Sequence, residues 1–94
     1  MRVVVSRVAR ADIERVVGFL RHEDDVLALR AAELIADAFV RLRELSDRGV
    51  VVNRRGDRRL AIPFGRAAYL LDYRVERGQG TVTILRVRHS RQAR

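Results

Sequence analysis

The residues best equipped for chemistry are seven arginines and a histidine in the second half of the chain: Arg54, Arg55, Arg58, Arg59, Arg74, Arg86, Arg88 and His89. A guanidinium stays protonated throughout the working pH range, so it binds phosphate or carboxylate but cannot act as a base. Two chemistries fit such a set: metal-free cleavage of RNA, or docking of an anionic partner with no bond broken. Cleavage also needs a base for the 2′-hydroxyl proton and an acid for the leaving oxygen. In this half the only acids are Asp57, Asp72 and Glu76. His89 could carry the proton. Strict strand alternation, however, puts it with Leu85 and Val87, away from Arg86 and Arg88, which favours packing or capping at a strand end. His22 sits in the acidic link His22-Glu23-Asp24-Asp25 with no second ligand at helical spacing, and reads as a solvated residue. Nothing resembles a P-loop, a nucleophile elbow or a zinc motif, so neither cofactor nor metal is expected.

The elements that position these arginines are legible in the hydrophobic pattern. Tyr69, Leu71, Tyr73 and Val75 alternate along one strand, and Thr81 to His89 form the next. Strict alternation places Leu85 and Val87 toward the core and groups Val82 and Ile84 with Arg86 and Arg88 on the other face. Glu76-Arg77-Gly78-Gln79-Gly80 joins the two as a turn. It is not a phosphate cradle, because no helix follows. Before them, Arg58 to Phe64 alternates with Leu60, Ile62 and Phe64 inward, and Pro63 belongs at a strand end or unpaired edge. At the start, Val3-Val4-Val5 forms a short strand and Ser6 caps a helix whose stripe is Ile13, Val16, Val17 and Leu20. Asp12 and Glu14 lie in its early turns, where the helix dipole favours negative charge. The second helix carries Leu27, Ala31, Leu34, Ala38, Leu42 and Leu45, ending at Arg48 with Gly49 as a left-handed terminator. Each helix has one apolar stripe, so together they must cover a sheet. The expected fold is α+β, in the order β-α-α-β-β-β: a helical hairpin on one face of a mainly antiparallel four-stranded sheet. The tail from Ser90 to Arg94 is expected to fray.

Ninety-four residues make one domain, residues 1–94. No apolar run is long enough to cross a membrane, the start lacks the apolar stretch of a signal peptide, and there is no cysteine. A cytoplasmic protein without membrane contact is the expectation. All twenty basic residues are arginine, which points to codon bias. Their distribution carries more information: residues 1–49 are balanced, and the entire excess of +8 sits in residues 50–94. One-sided charge implies an anionic partner. A plain nucleic-acid-binding domain is disfavoured, since Tyr69 and Tyr73 share the apolar parity and no stacking aromatics stand among the arginines.

Tyr69-x-x-x-Tyr73-Arg74-Val75, followed by Val82-x-Ile84-Leu85-Arg86-Val87-x-His89, resembles the RelE/ParE superfamily of toxins from bacterial type II toxin–antitoxin systems. Ser6-x-x-Ala9-x-x-Asp12-Ile13 and Arg58-Arg59-Leu60 extend the resemblance over nearly the whole chain. It implies a cytoplasmic toxin held in a hetero-oligomer by a cognate antitoxin, which lays an extended, partly disordered segment across it. ParE-like members poison DNA gyrase by binding. RelE-like members are mRNA endoribonucleases that act on the ribosome. The lysines and C-terminal tyrosine of the RelE-like nucleases are absent here, so the resemblance favours the ParE-like branch. The target- and antitoxin-binding residues it implies are Arg54, Arg55, Arg58, Arg59, Arg74, Arg86 and Arg88. In the ribonuclease alternative the catalytic set would be Arg59, Arg74, Arg86, Arg88 and His89.

Overall fold

The structure, a computed structural model, describes residues 1–91. Strand β1 (Arg2–Val5) leads through Ser6 into α1 (Arg7–Glu23). The Ser6 hydroxyl accepts the Ala9 N–H at 3.1 Å, satisfying one of the orphan donors at the helix start. Asp24 alone separates α1 from α2 (Asp25–Leu42), and its carboxylate caps α2 by accepting the Val26 N–H at 2.8 Å. Then come β2 (Val50–Val51), β3 (Arg58–Phe64), β4 (Ala67–Glu76) and β5 (Thr81–His89). A single 3₁₀ turn, Arg77–Gln79, connects the last two and closes on Gly80 at φ 64°. Among the described residues no helix is long and apolar enough to cross a membrane.

The sheet order is β1-β5-β4-β3-β2. All pairs are antiparallel except β1 with β5, which is parallel. The α+β architecture is therefore as the sequence implies, with the two valines of β2 added as a fifth, very short strand. Both edges of the sheet are short strands, a protection against edge-to-edge pairing. The helices cover one face, α1 over β5 and α2 reaching β3 and β1. Ala9, Val16, Ala31, Ile35, Ala38 and Leu42 meet Ile62, Tyr69, Leu71, Tyr73, Val82, Ile84 and Val87 in one core. Three of the six helical residues are alanines, which lets the helices lie close to the sheet.

Several expectations fail locally. The largest concerns β5, where Val82 and Ile84 are fully buried while Leu85 is only partly so. Along β4 the register runs Asp72↔Arg86 and then Tyr73↔Ile84, so Leu85 is the extra residue of a β-bulge. The bulge shifts parity: Val82 and Ile84 face the helices before it and Val87 after it, while Leu85 joins Arg86 on the outer side. In α2, Leu27 and Leu45 are exposed and the helix stops at Leu42. Gly49 is not a left-handed terminator. It is buried against β4: a Cβ there would stand 2.8 Å from the Tyr73 ring and 2.9 Å from the Arg59 carbonyl oxygen. The Tyr73 hydroxyl accepts the Gly49 N–H at 2.8 Å and donates to the Ser46 carbonyl at 2.7 Å, pinning the α2–β2 link to the sheet. Ser90 is not loose either, since its N–H donates to the Ala68 carbonyl at 2.8 Å. Arg91 is described as well, whereas Gln92, Ala93 and Arg94, the last three residues of the expected frayed tail, lie outside the described residues.

Candidate partner-binding face

The face of the sheet opposite the helices collects Arg59 from β3, Arg74 from β4, and Arg86 and Arg88 from β5. Cross-strand register brings them together: Arg59 pairs with Asp72, Asp72 with Arg86, and Leu70 with Arg88. Like charges so placed repel, and the chain offsets much of that repulsion internally. Arg59 forks onto Asp72 at 2.7 and 3.1 Å. Arg88 adds a third nitrogen to the same carboxylate at 3.2 Å. Arg74 forks onto the buried Asp57 at 2.8 and 3.2 Å. Such bidentate pairs fix the guanidinium planes as well as neutralising charge.

Arg86 has a different anchor, which the sequence pattern hides. Its guanidinium forks onto Asp12 of α1 at 2.8 and 3.3 Å. Asp12 is 1% exposed and also accepts the Val87 N–H at 2.9 Å. The reason is topological. β1 pairs with β5 only as far as Ile84, after which the chain leaves the sheet as α1 and the edge of β5 lies bare. The Ser6 hydroxyl donates to the Leu85 carbonyl and the Asp12 carboxylate accepts the Val87 N–H, so side chains from the cap and the early part of α1 stand in for the missing strand. Burial opposes the Asp12 charge, but Arg86, the Val87 N–H and Arg15 outweigh it and hold the carboxyl below its ordinary value. The hydrogen bond from Arg74 does the same for Asp57, against burial. Reciprocally, Asp72, Asp57 and Asp12 raise Arg59, Arg74 and Arg86. Helical spacing alone gave Asp12 a dipole role. A polar residue on the Ala9–Val16 stripe was the available signal that it faces inward.

The remaining predicted residues are dispersed. Arg54 and Arg55 are exposed on the turn between β2 and β3, Arg55 within 3.7 Å of Asp57. Arg58 points to the helix side, where it donates to the Asp47 and Gly49 carbonyls at 3.2 and 2.7 Å. His89 is also on the helix side: its ring meets Tyr69 edge-on at 5.7 Å, and its Nδ1 accepts the Arg91 N–H at 3.1 Å. The four outer arginines are thus together and the histidine is not with them. One donor stays unmet: Arg88 Nε is buried without a partner among the described residues. Beside this cluster a shallow depression of about 520 Å³ is bordered by Val8, Val52, Arg55, Arg74, Leu85 and Arg86, mixing apolar surface with cations.

A family model described as the ParE toxin of type II toxin–antitoxin systems, parDE, matches residues 3–94. The chain belongs to the ParE toxin family. A solved structure described as the chromosomal ParDE TA system from P. aeruginosa superposes with a TM-score of 0.75 at 21% identity, covering 95% of each chain. At that identity the likeness speaks for the ParE fold. No curated protein matched the chain.

Proposed function

We propose that this ParE-family toxin inhibits DNA gyrase by binding it, in the cytoplasm, and is neutralised by a cognate antitoxin in a hetero-oligomeric complex. The arrangement of the outer face carries the reading. Arg59, Arg74, Arg86 and Arg88 each have the guanidinium oriented by a carboxylate while the side chain remains 30–43% exposed, which suits docking against carboxylates or phosphates. Proton transfer is poorly served, because Asp12, Asp57 and Asp72 are each engaged by arginine and His89 lies across the sheet. Arg88 and the exposed Arg54 and Arg55 are the residues we assign to partner contact beside Arg59, Arg74 and Arg86. Arg58, turned to the helix side, acts there by holding the link before β2.

The test is the purified chain in two assays side by side, gyrase supercoiling and ribosome-dependent mRNA cleavage. Loss of supercoiling, restored by the antitoxin, is expected. Cleavage of mRNA without loss of supercoiling would replace this reading with the RelE-like one.

A further inference from the structure

The outer arginine face leaves guanidinium edges unused. Arg59, Arg74 and Arg86 all fork through Nε and Nη2, onto Asp72, Asp57 and Asp12 respectively. Among the described residues their Nη1 atoms have no hydrogen-bond partner. The end-on edge of each plane, Nη1 with the second hydrogen of Nη2, is therefore open to a further anion. With Arg88 these cations form a two-dimensional array. Arg59 and Arg86 flank Asp72 in one row across β3, β4 and β5, about 10 Å apart at a strand spacing of about 4.8 Å. Arg74, opposite Thr83, and Arg88, opposite Leu70, stand on either side of that row, about 14 Å apart. No aromatic ring belongs to this face: Phe19 and Phe39 are on the helices, and Phe64, Tyr69 and Tyr73 pack with the core.

We infer that this face grips the phosphate backbone of duplex DNA, so that the toxin meets gyrase while the enzyme holds its DNA. The source of that DNA rests on the gyrase reading; the contact itself does not. An extended acidic polypeptide places its carboxylates along one line, and meets two corners of the array at a time. Phosphates bordering the major groove of a duplex, roughly 12 Å wide, are spread in two dimensions on the same scale. Each open edge can fork onto one phosphate. The guanidinium planes are already set by their carboxylates, so little side-chain freedom is lost on docking. Unpaired strands fit less well, because their binding sites stack bases on aromatic rings. Leu70 and Thr83, between the arginines, are too short to reach base edges, which makes the contact one of backbone and not of sequence.

The probe is a fluorescein-labelled duplex of about 20 base pairs, titrated with the purified chain at several salt concentrations while anisotropy is followed, with no gyrase present. Four neutralised phosphates predict that log Kd rises with log salt concentration at a slope of about 3.6. Arg88→Gln should lower that slope by about 0.9 and weaken binding about fivefold. Arg30→Gln removes an exposed arginine from α2, on the far side of the sheet, and should change neither. Both variants are first verified as folded. Unlabelled duplex should displace the probe better than a single strand of the same length or polyglutamate at equal charge. Equal losses in Arg88→Gln and Arg30→Gln, better displacement by the single strand or by polyglutamate, or no binding at about 50 mM salt would overturn the inference. Supercoiling assays separate it from the reading on which it rests. Duplex binding with full supercoiling at excess toxin would remove gyrase and keep the contact; inhibition without duplex binding would do the reverse.

Discussion

The two halves of β5 solve the same problem by different means. From Thr81 to Ile84 the strand is flanked on both sides, by β1 and β4, and its alternation is regular, with Val82 and Ile84 buried. From Arg86 to His89 β1 is gone, and side chains from Ser6 and Asp12 do the work of a neighbouring strand. The bulge at Leu85 lies between the two regimes. It brings Arg86 and Arg88 outward and lets the edge N–H of Val87 meet a buried carboxylate. An edge patched by side chains thus carries two of the four outer cations, Arg86 and Arg88, while the doubly flanked half supplies Val82 and Ile84 to the core.

The sharpest way to break this comparison is to place the same charge on either side of the bulge. Ile84→Asp should abolish cooperative folding, because it buries an unpaired carboxylate at a fully enclosed position, costing about 4 kcal/mol or more. Thermal unfolding of a soluble Ile84→Asp protein with a normal transition would refute the burial pattern. Next in size is Asp12→Asn, which keeps the shape but removes the charge between Arg86 and the Val87 N–H. It should cost about 2–4 kcal/mol by denaturant unfolding. The same variant tests pH dependence. Asp12 has its folded-state value lowered from 3.8, so its contribution is present above that value and lost as pH falls through the folded one. Wild type should therefore lose stability on acidification below about pH 4, and Asp12→Asn should lose less over that range. An unaltered acid limb would remove Asp12 from the account.

Smaller effects sharpen the contrast further. Gly49→Ala should cost about 1–3 kcal/mol, since the added methyl meets the Tyr73 ring and a backbone oxygen that cannot yield freely. Leu85→Asp should change stability by less than about 1 kcal/mol, because the side chain stands on the outer side beside Arg86. If Leu85→Asp proves as damaging as Ile84→Asp, the bulge is misplaced.

The sequence made the element order, the Ser6 cap, the buried tyrosines of β4 and the shared outer face of Arg59, Arg74, Arg86 and Arg88 legible, because each follows from local spacing. Leu85 was misassigned because period-2 reasoning has no way to register an inserted residue, and nothing about Leu85 itself marks a bulge. The roles of Asp12 and Gly49 depend on partners 75 and 24 residues away, Val87 and Tyr73. Such long-range pairing is invisible to periodicity. It also alters an obvious experiment: removing Arg86 would leave the buried Asp12 with a weaker set of partners, so loss of toxicity in that variant would not separate binding from folding.

Arg88 is free of that difficulty, since Asp72 keeps its bidentate Arg59 when Arg88 is replaced. The most direct measurement is therefore gyrase supercoiling titrated with the wild-type chain and with Arg88→Gln, both verified as folded. Inhibition by wild type, with about tenfold more Arg88→Gln needed for the same effect, is the predicted result. Full supercoiling at excess wild-type toxin, or equal potency of the two chains, would contradict it.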